Sequence, residues 1–203
     1  MRIPTFAILC LALGAAVPAC GPSNRQIRPT SPFTTELGRL FDDSVDYVQN
    51  VEGLGGRVAA DWEQQIDGLS RSSDLMAVAN IETVLQGQDA DGARIYRLTA
   101  NLTNIVRGDA PEDHHVALRV SEGQAGFNTV AGKEDRLQRG RYMIFIKWYT
   151  DGAGEVQAHW HLTPYTDELM ARVRHTSGVE EQQLGRERVV RTDRGSQSTT
   201  QSQ

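Results

Sequence analysis

Cysteine is nearly absent: Cys10 and Cys20 are the two that the 203 residues contain. The chain beyond position 20 therefore has no disulfide to brace it, and its stability has to come from burial. Basic charge is also in deficit, with Lys and Arg totalling 21 against 26 Asp and Glu, a formal net charge of −5. Sequence-independent binding of nucleic acid needs a basic face to displace counterions, and this balance argues against it. After the first nineteen residues no apolar run approaches the roughly 20 residues that a membrane-spanning helix needs. The signatures of nucleophilic and metal-dependent hydrolases are missing as well. No G-x-S-x-G, S-x-x-K, H-E-x-x-H or C-x-x-C occurs. There is no internal repeat.

What the chain does have begins at its N-terminus. Arg2 precedes an apolar stretch from Ile3 to Ala19, with Gly14, Ala15, Ala16 and Ala19 near its end, closing on Val17-Pro18-Ala19-Cys20-Gly21. One charge before a run of this length reads as a removed export signal. The closing residues resemble a bacterial lipoprotein signal, in which an aliphatic residue, a variable small residue and Ala or Gly precede Cys. Val17, Ala19 and Cys20 match; Pro18 departs from the usual small residue. The resemblance implies that residues 1–19 are removed, that the Cys20 sulfur carries diacylglycerol, and that the membrane is a partner through that lipid. Ordinary secretion with cleavage after Ala19 is the alternative. Gly21, in place of the Asp that retains such proteins at the inner membrane, implies a lipid anchor in the outer membrane facing the periplasm.

Residues 20–33 hold Pro22, Pro29, Pro32, Ser23 and Ser31 without apolar periodicity and read as a flexible tether. Residues 34–73 read as a helical segment. A first helix is expected over 35–50, since Leu37, Leu40, Phe41, Val45, Val48 and Val51 share one helical face, with Asp42, Asp43 and Asp46 opposite. Past the break at Gly53-Leu54-Gly55-Gly56, Val58, Trp62, Ile66 and Leu69 predict a second helix. From Asp74 the period changes to two. Strands are expected over 76–85, 95–106, 116–120, 142–149 and 156–162, with hairpin turns at Asp91-Gly92 and Asp151-Gly152 and a short helix over 133–138. Thr163-Pro164 reads as the cap of a helix carrying Leu169, Met170 and Val173. Residues 74–176 thus predict an α+β domain, a small antiparallel five-stranded barrel followed by a helix, and 177–203 a disordered tail.

His159 and His161 are the most tempting chemistry. Two apart on a strand, they share a face and make a candidate pair of metal ligands, although the sequence names no third. His114 and His115 are adjacent, so only one of them could join. Asp89-Ala90-Asp91-Gly92 lacks the downstream ligands of a calcium loop and reads as a turn. Trp148, Tyr149 and Trp160 are candidate binding anchors, with the core as the competing destination.

Gly108 closes the second strand in Val106-Arg107-Gly108, and Gly140 opens the fourth in Gly140-Arg141-Tyr142-Met143-Ile144-Phe145-Ile146. With the strand order over 74–162, this resembles the OB-type barrel of netrin-like domains, the class of the tissue inhibitors of metalloproteinases. The disulfides of that family are absent. Its inhibitory use of a free N-terminal cysteine amine does not carry over to an acylated Cys20. The expectation is a non-catalytic binding module of the cell envelope, without cofactor and without a nucleic-acid partner, recognising an envelope protein or peptidoglycan. The alternatives are a metal-dependent hydrolase using His159 and His161, and a protease inhibitor acting through a loop such as 123–132.

Overall fold

The structure, a computed structural model, describes residues 27, 29 and 32–178. The leader, Cys20, most of the tether and the tail from 179 lie outside the described residues. Helix α1 (Leu37–Leu40) is a single turn and is followed by β1 (Ser44–Val45), a short 3-10 turn and α2 (Gly56–Ser72). Then come β2 (Leu75–Gln88), β3 (Arg94–Arg107), β4 (His115–Ser121), the short helices α3 (Phe127–Val130) and α4 (Glu134–Arg139), β5 (Arg141–Thr150) and β6 (Val156–Pro164). A last helix, α5, occupies 167–178. Among the described residues no helix is long and apolar enough to cross a membrane.

The architecture is α+β, with one curled half-barrel sheet of six strands in the order β1-β6-β5-β2-β3-β4. The expected count of five is corrected by β1, which pairs in parallel with β6 through Ser44 and Val45. That strand comes from the stretch read as a helix over 35–50, of which only Leu37–Leu40 is helical. The remaining pairs are antiparallel. The curl brings β4 beside β6, where the Trp160 indole N–H donates to the Arg119 carbonyl at 3.1 Å.

Alternation along the strands sorts the side chains into two cores. Inside the curl lie Leu98, Leu118, Ile144, Trp148 and Trp160, plugged at one end by Phe127, Val130 and Leu137 of α3 and α4. On the outer face Met76, Val78, Met143 and Phe145 pack beneath Trp62, Ile66 and Leu69 of α2 and Leu169, Met170 and Val173 of α5. Val58, expected on the same face of α2, is exposed. Arg172 fastens α5 to α2 through paired 2.8 Å bonds to Asp67 and a 2.9 Å contact with Glu63. The α5 cap is Thr166, whose hydroxyl accepts the Leu169 N–H. Thr163 and Pro164, read as that cap, end β6 instead. Part of the expected tether is docked, since Ile27 is buried inside the curl and Phe33 packs at the outer core.

Both predicted hairpins form by one device. Asp89 and Asp151 each accept two backbone N–H groups of their own turn with one carboxylate oxygen. Gly92 and Gly154 supply the left-handed residue that follows. At the end of β3, Gly108 has φ +89° and lies so close to Asp74 that a Cβ would overlap the Asp74 carbonyl. Asp74 in turn receives the Lys147 ammonium at 2.7 Å and the Trp148 N–H at 3.0 Å in a nearly buried pair. Gly92→Ala, strained but in open space, is expected to cost about 1–2 kcal/mol. Gly108→Ala must also displace backbone and is expected to lower the urea midpoint by at least twice as much. Equal losses would refute this account of Gly108.

Candidate functional site

β6 carries the polar chemistry of the fold. Its even-numbered residues Ala158, Trp160 and Leu162 face the inner core, so His159, His161 and Thr163 emerge together on the outer face. Against them lies the 42–46 segment, which delivers three carboxylates. The shared face of His159 and His161 is therefore as the spacing predicts. The aspartates were expected on the solvent side of a helix, and they point inward at these histidines instead.

His161 is 2% exposed and meets a carboxylate at each ring nitrogen. Asp42 Oδ1 stands 3.2 Å from Nδ1 and Asp46 Oδ2 stands 3.3 Å from Nε2. The Ser44 hydroxyl donates to Asp42 at 2.5 Å and lies 3.2 Å from the same Nδ1. Burial by itself depresses the imidazole pKa, but hydrogen bonds to Asp42 and Asp46 and their charges outweigh it, raising the pKa to about 9. His161 is thus an imidazolium at neutral pH, donating from both nitrogens. Burial pushes the Asp42 carboxyl up, and the bonds from His161 and Ser44 more than reverse this, leaving it below its ordinary value.

Asp46 ties three elements together. Oδ1 accepts the Thr163 hydroxyl at 2.8 Å and the Val48 N–H at 3.0 Å, and Oδ2 accepts the Trp62 indole N–H of α2 at 3.0 Å. Asp43 adopts a left-handed φ of +55°. This aims its carboxylate at β6, where Oδ1 accepts the Trp160 N–H at 3.0 Å and Oδ2 lies 2.9 Å from His159 Nδ1. Burial holds the Asp43 carboxyl above its usual value against the opposing pull of His159. The His159 ring stacks on Tyr149 at 4.3 Å and on Phe33 at 4.1 Å.

The other candidates fall as follows. Trp148 and Trp160 are buried in the inner core and offer no surface to a partner, whereas Tyr149 is half-buried beside His159. His115 pairs with Glu82 at 3.2 Å and does not join the β6 histidines. Among the described residues no group of three or more His, Cys, Asp and Glu is arranged to hold a metal ion. The carboxylates around His161 form charge-assisted hydrogen bonds with it instead. Within the 123–132 segment Phe127 and Val130 are buried and Gly126 is pressed against the Asp43 carbonyl, while residues 123–125 stay exposed.

A feature the sequence did not announce is an open groove of about 1050 Å³ where α4, the start of β5 and the end of β6 meet. Tyr47, Tyr142 and Tyr165 line it together with Lys133, Arg136, Arg139 and Arg141. The clue available in the sequence was the density of arginines over 136–141, which a helix reading passes over as a solvated face.

The His161 cluster sets a pH dependence with a definite sign. The folded pKa lies above the unfolded value near 6.5, so its stabilisation is complete below pH 6.5 and is lost as pH rises through about 9. The loss amounts to about 3 kcal/mol. His161→Gln should remove this alkaline slope from urea titrations between pH 6 and 10, and an unchanged slope would assign it elsewhere. Zn²⁺ should leave the melting temperature unchanged, whereas stabilisation with one bound ion per chain would restore the metal reading. No protein-family model, curated protein or solved structure gives a significant match to the chain.

Proposed function

We propose that this protein is a lipid-anchored, non-catalytic binding module of the cell envelope, held at the outer membrane through Cys20 and facing the periplasm. The observation that carries the binding half is a contrast between two polar regions. The acid–histidine constellation on β6 is consumed in fastening the chain to its own sheet. The groove, by contrast, is open and lined by side chains suited to contact with another molecule.

The five longer strands support an OB-type reading of the barrel. Taken as strands one to five, β2 lies between β3 and β5, β4 flanks β3, and β6 flanks β5 and approaches β4. Two short helices intervene between the third and fourth strands and plug the barrel. OB-type barrels serve chiefly as recognition platforms, which accords with a binding role. The netrin-like inhibitory mechanism is not part of the proposal, because lipid on Cys20 would block the amine it requires.

The anchor is tested by expressing the full chain in a bacterial host that processes lipoproteins. Intact mass should show diacylglycerol on Cys20 and loss of residues 1–19, and the protein should sediment with membranes. Cys20→Ser should move it to the soluble fraction with its melting temperature unchanged. A bare thiol, or membrane association that survives the substitution, would overturn the anchor.

A further inference from the structure

We propose that the groove between α4, β5 and the end of β6 is a binding site for a polyanion carrying several phosphate or carboxylate groups. The inference deepens the binding-module reading by naming the chemistry its ligand must have.

The argument starts from charge. The chain as a whole carries −5, yet Lys133, Arg136, Arg139 and Arg141 converge on one groove. The two acids that also line it do little to neutralise them. Glu134 accepts the Gly132 N–H at 3.1 Å and is drawn toward the Tyr96 hydroxyl. Asp135 faces Arg139 at 3.5 Å, with both side chains largely exposed. Among the described residues no carboxylate pairs with Lys133, Arg136 or Arg141.

Tyrosine rings hold these cations in place of acids. The Arg136 guanidinium lies 4.2 Å from the centre of the Tyr47 ring and the Lys133 ammonium 5.0 Å from it. Across the groove the Arg141 guanidinium lies 4.3 Å from the Tyr165 ring. A ring face orients a guanidinium without cancelling its charge, so the N–H edge stays available to an oxyanion. The rings are themselves fixed: the Tyr47 hydroxyl donates to the Thr129 carbonyl at 2.7 Å and the Tyr165 hydroxyl to Asp167 at 2.9 Å. Desolvation, with a smaller contribution from Tyr142, lifts the Tyr47 phenol to about 12, so it stays neutral beneath its cations.

Valence follows from the setting. One exposed ion pair in water contributes only about 1 kcal/mol, too little to retain a single anion. Several cations lining one cavity can retain a ligand that meets more than one of them. The volume suits an oligomeric ligand better than a lone ion. The same chemistry is offered by a soluble polyanion and by a bilayer of acidic headgroups.

The test uses the full-length chain, purified as the cell processes it, with sodium tripolyphosphate and citrate as soluble probes. Phosphatidylglycerol vesicles, compared with phosphatidylcholine vesicles, form the membrane arm. Calorimetry should show binding that weakens with added salt, and Arg136→Gln with Arg141→Gln should reduce affinity at least tenfold. Arg119→Gln, which removes a half-exposed charge near Tyr149 at the opposite end of β5 from the groove, should leave it within twofold. The single variants should each lose about threefold, which keeps the test open should the double variant fold poorly by thermal melt. Binding to tripolyphosphate or citrate identifies a soluble source, and Arg136- and Arg141-dependent binding to acidic vesicles alone identifies headgroups; either supports the site. Absence of binding in both arms, or equal loss in Arg119→Gln, would overturn it. The result is independent of the Cys20 mass, so an empty groove on a correctly lipidated protein refutes this inference alone.

Discussion

The fold depends on a buried positive charge. His161 lies in the middle of the closing strand with almost no access to water, and an imidazolium there is tolerable only between carboxylates. Both carboxylates come from a segment more than a hundred residues earlier in the chain. The partnership explains how so short a strand as β1 holds its place. Two residues of parallel pairing are well below the length at which a strand sustains itself. The Asp43 and Asp46 N–H groups donate to β6 carbonyls, and the Asp43 carboxylate accepts the Trp160 N–H. Side-chain chemistry thus supplies what the short ladder lacks, and it covers a sheet edge that would otherwise present unpaired backbone.

The antiparallel part of this architecture was legible in the sequence because β3 and β4 alternate over one core, while β5, covered on both faces, reads as a continuous apolar run. Tyr96, Leu98, Ala100 and Leu102 alternate with polar residues, and those four, with Ile95 before them, are the buried residues of β3. Asp and Gly at the turns declared the hairpins for an equally local reason. The 35–50 stretch misled, and the cause is specific. Leu37, Leu40, Phe41, Val48 and Val51 do pack together at the outer core, while Val45 turns to the inner one. Apolar spacing recorded that these residues are buried, but burial divided between two cores imitates one helical face. What draws the backbone out of the helix is the match of Asp42, Asp43 and Asp46 to β6, a pairing with no local trace.

The histidines show the same boundary. Their spacing established that His159 and His161 share a face, since that is a property of any strand. What they face depended on a distant segment, and it is a set of three carboxylates. Opposite charges brought together this way neutralise each other and make a fastening. Lys133, Arg136 and Arg141 of the groove are held by neutral rings, so no carboxylate among the described residues cancels their charge. The difference between the two clusters lies in what sits next to each charge, not in which residue types are present.

The two clusters are also joined through the chain. Tyr47, which supports Arg136 and Lys133, immediately follows Asp46. Tyr165, which supports Arg141, lies four residues past His161 on the continuation of β6. The segments paired at the ion cluster therefore go on to supply Tyr47 and Tyr165 to the groove. Loss of the His161 proton would strand two carboxylates beside a neutral ring and weaken the pairing from which both tyrosines extend. Position in the groove is thus inherited from the buried charge, and the ordinary exposed residues around it need only supply contacts.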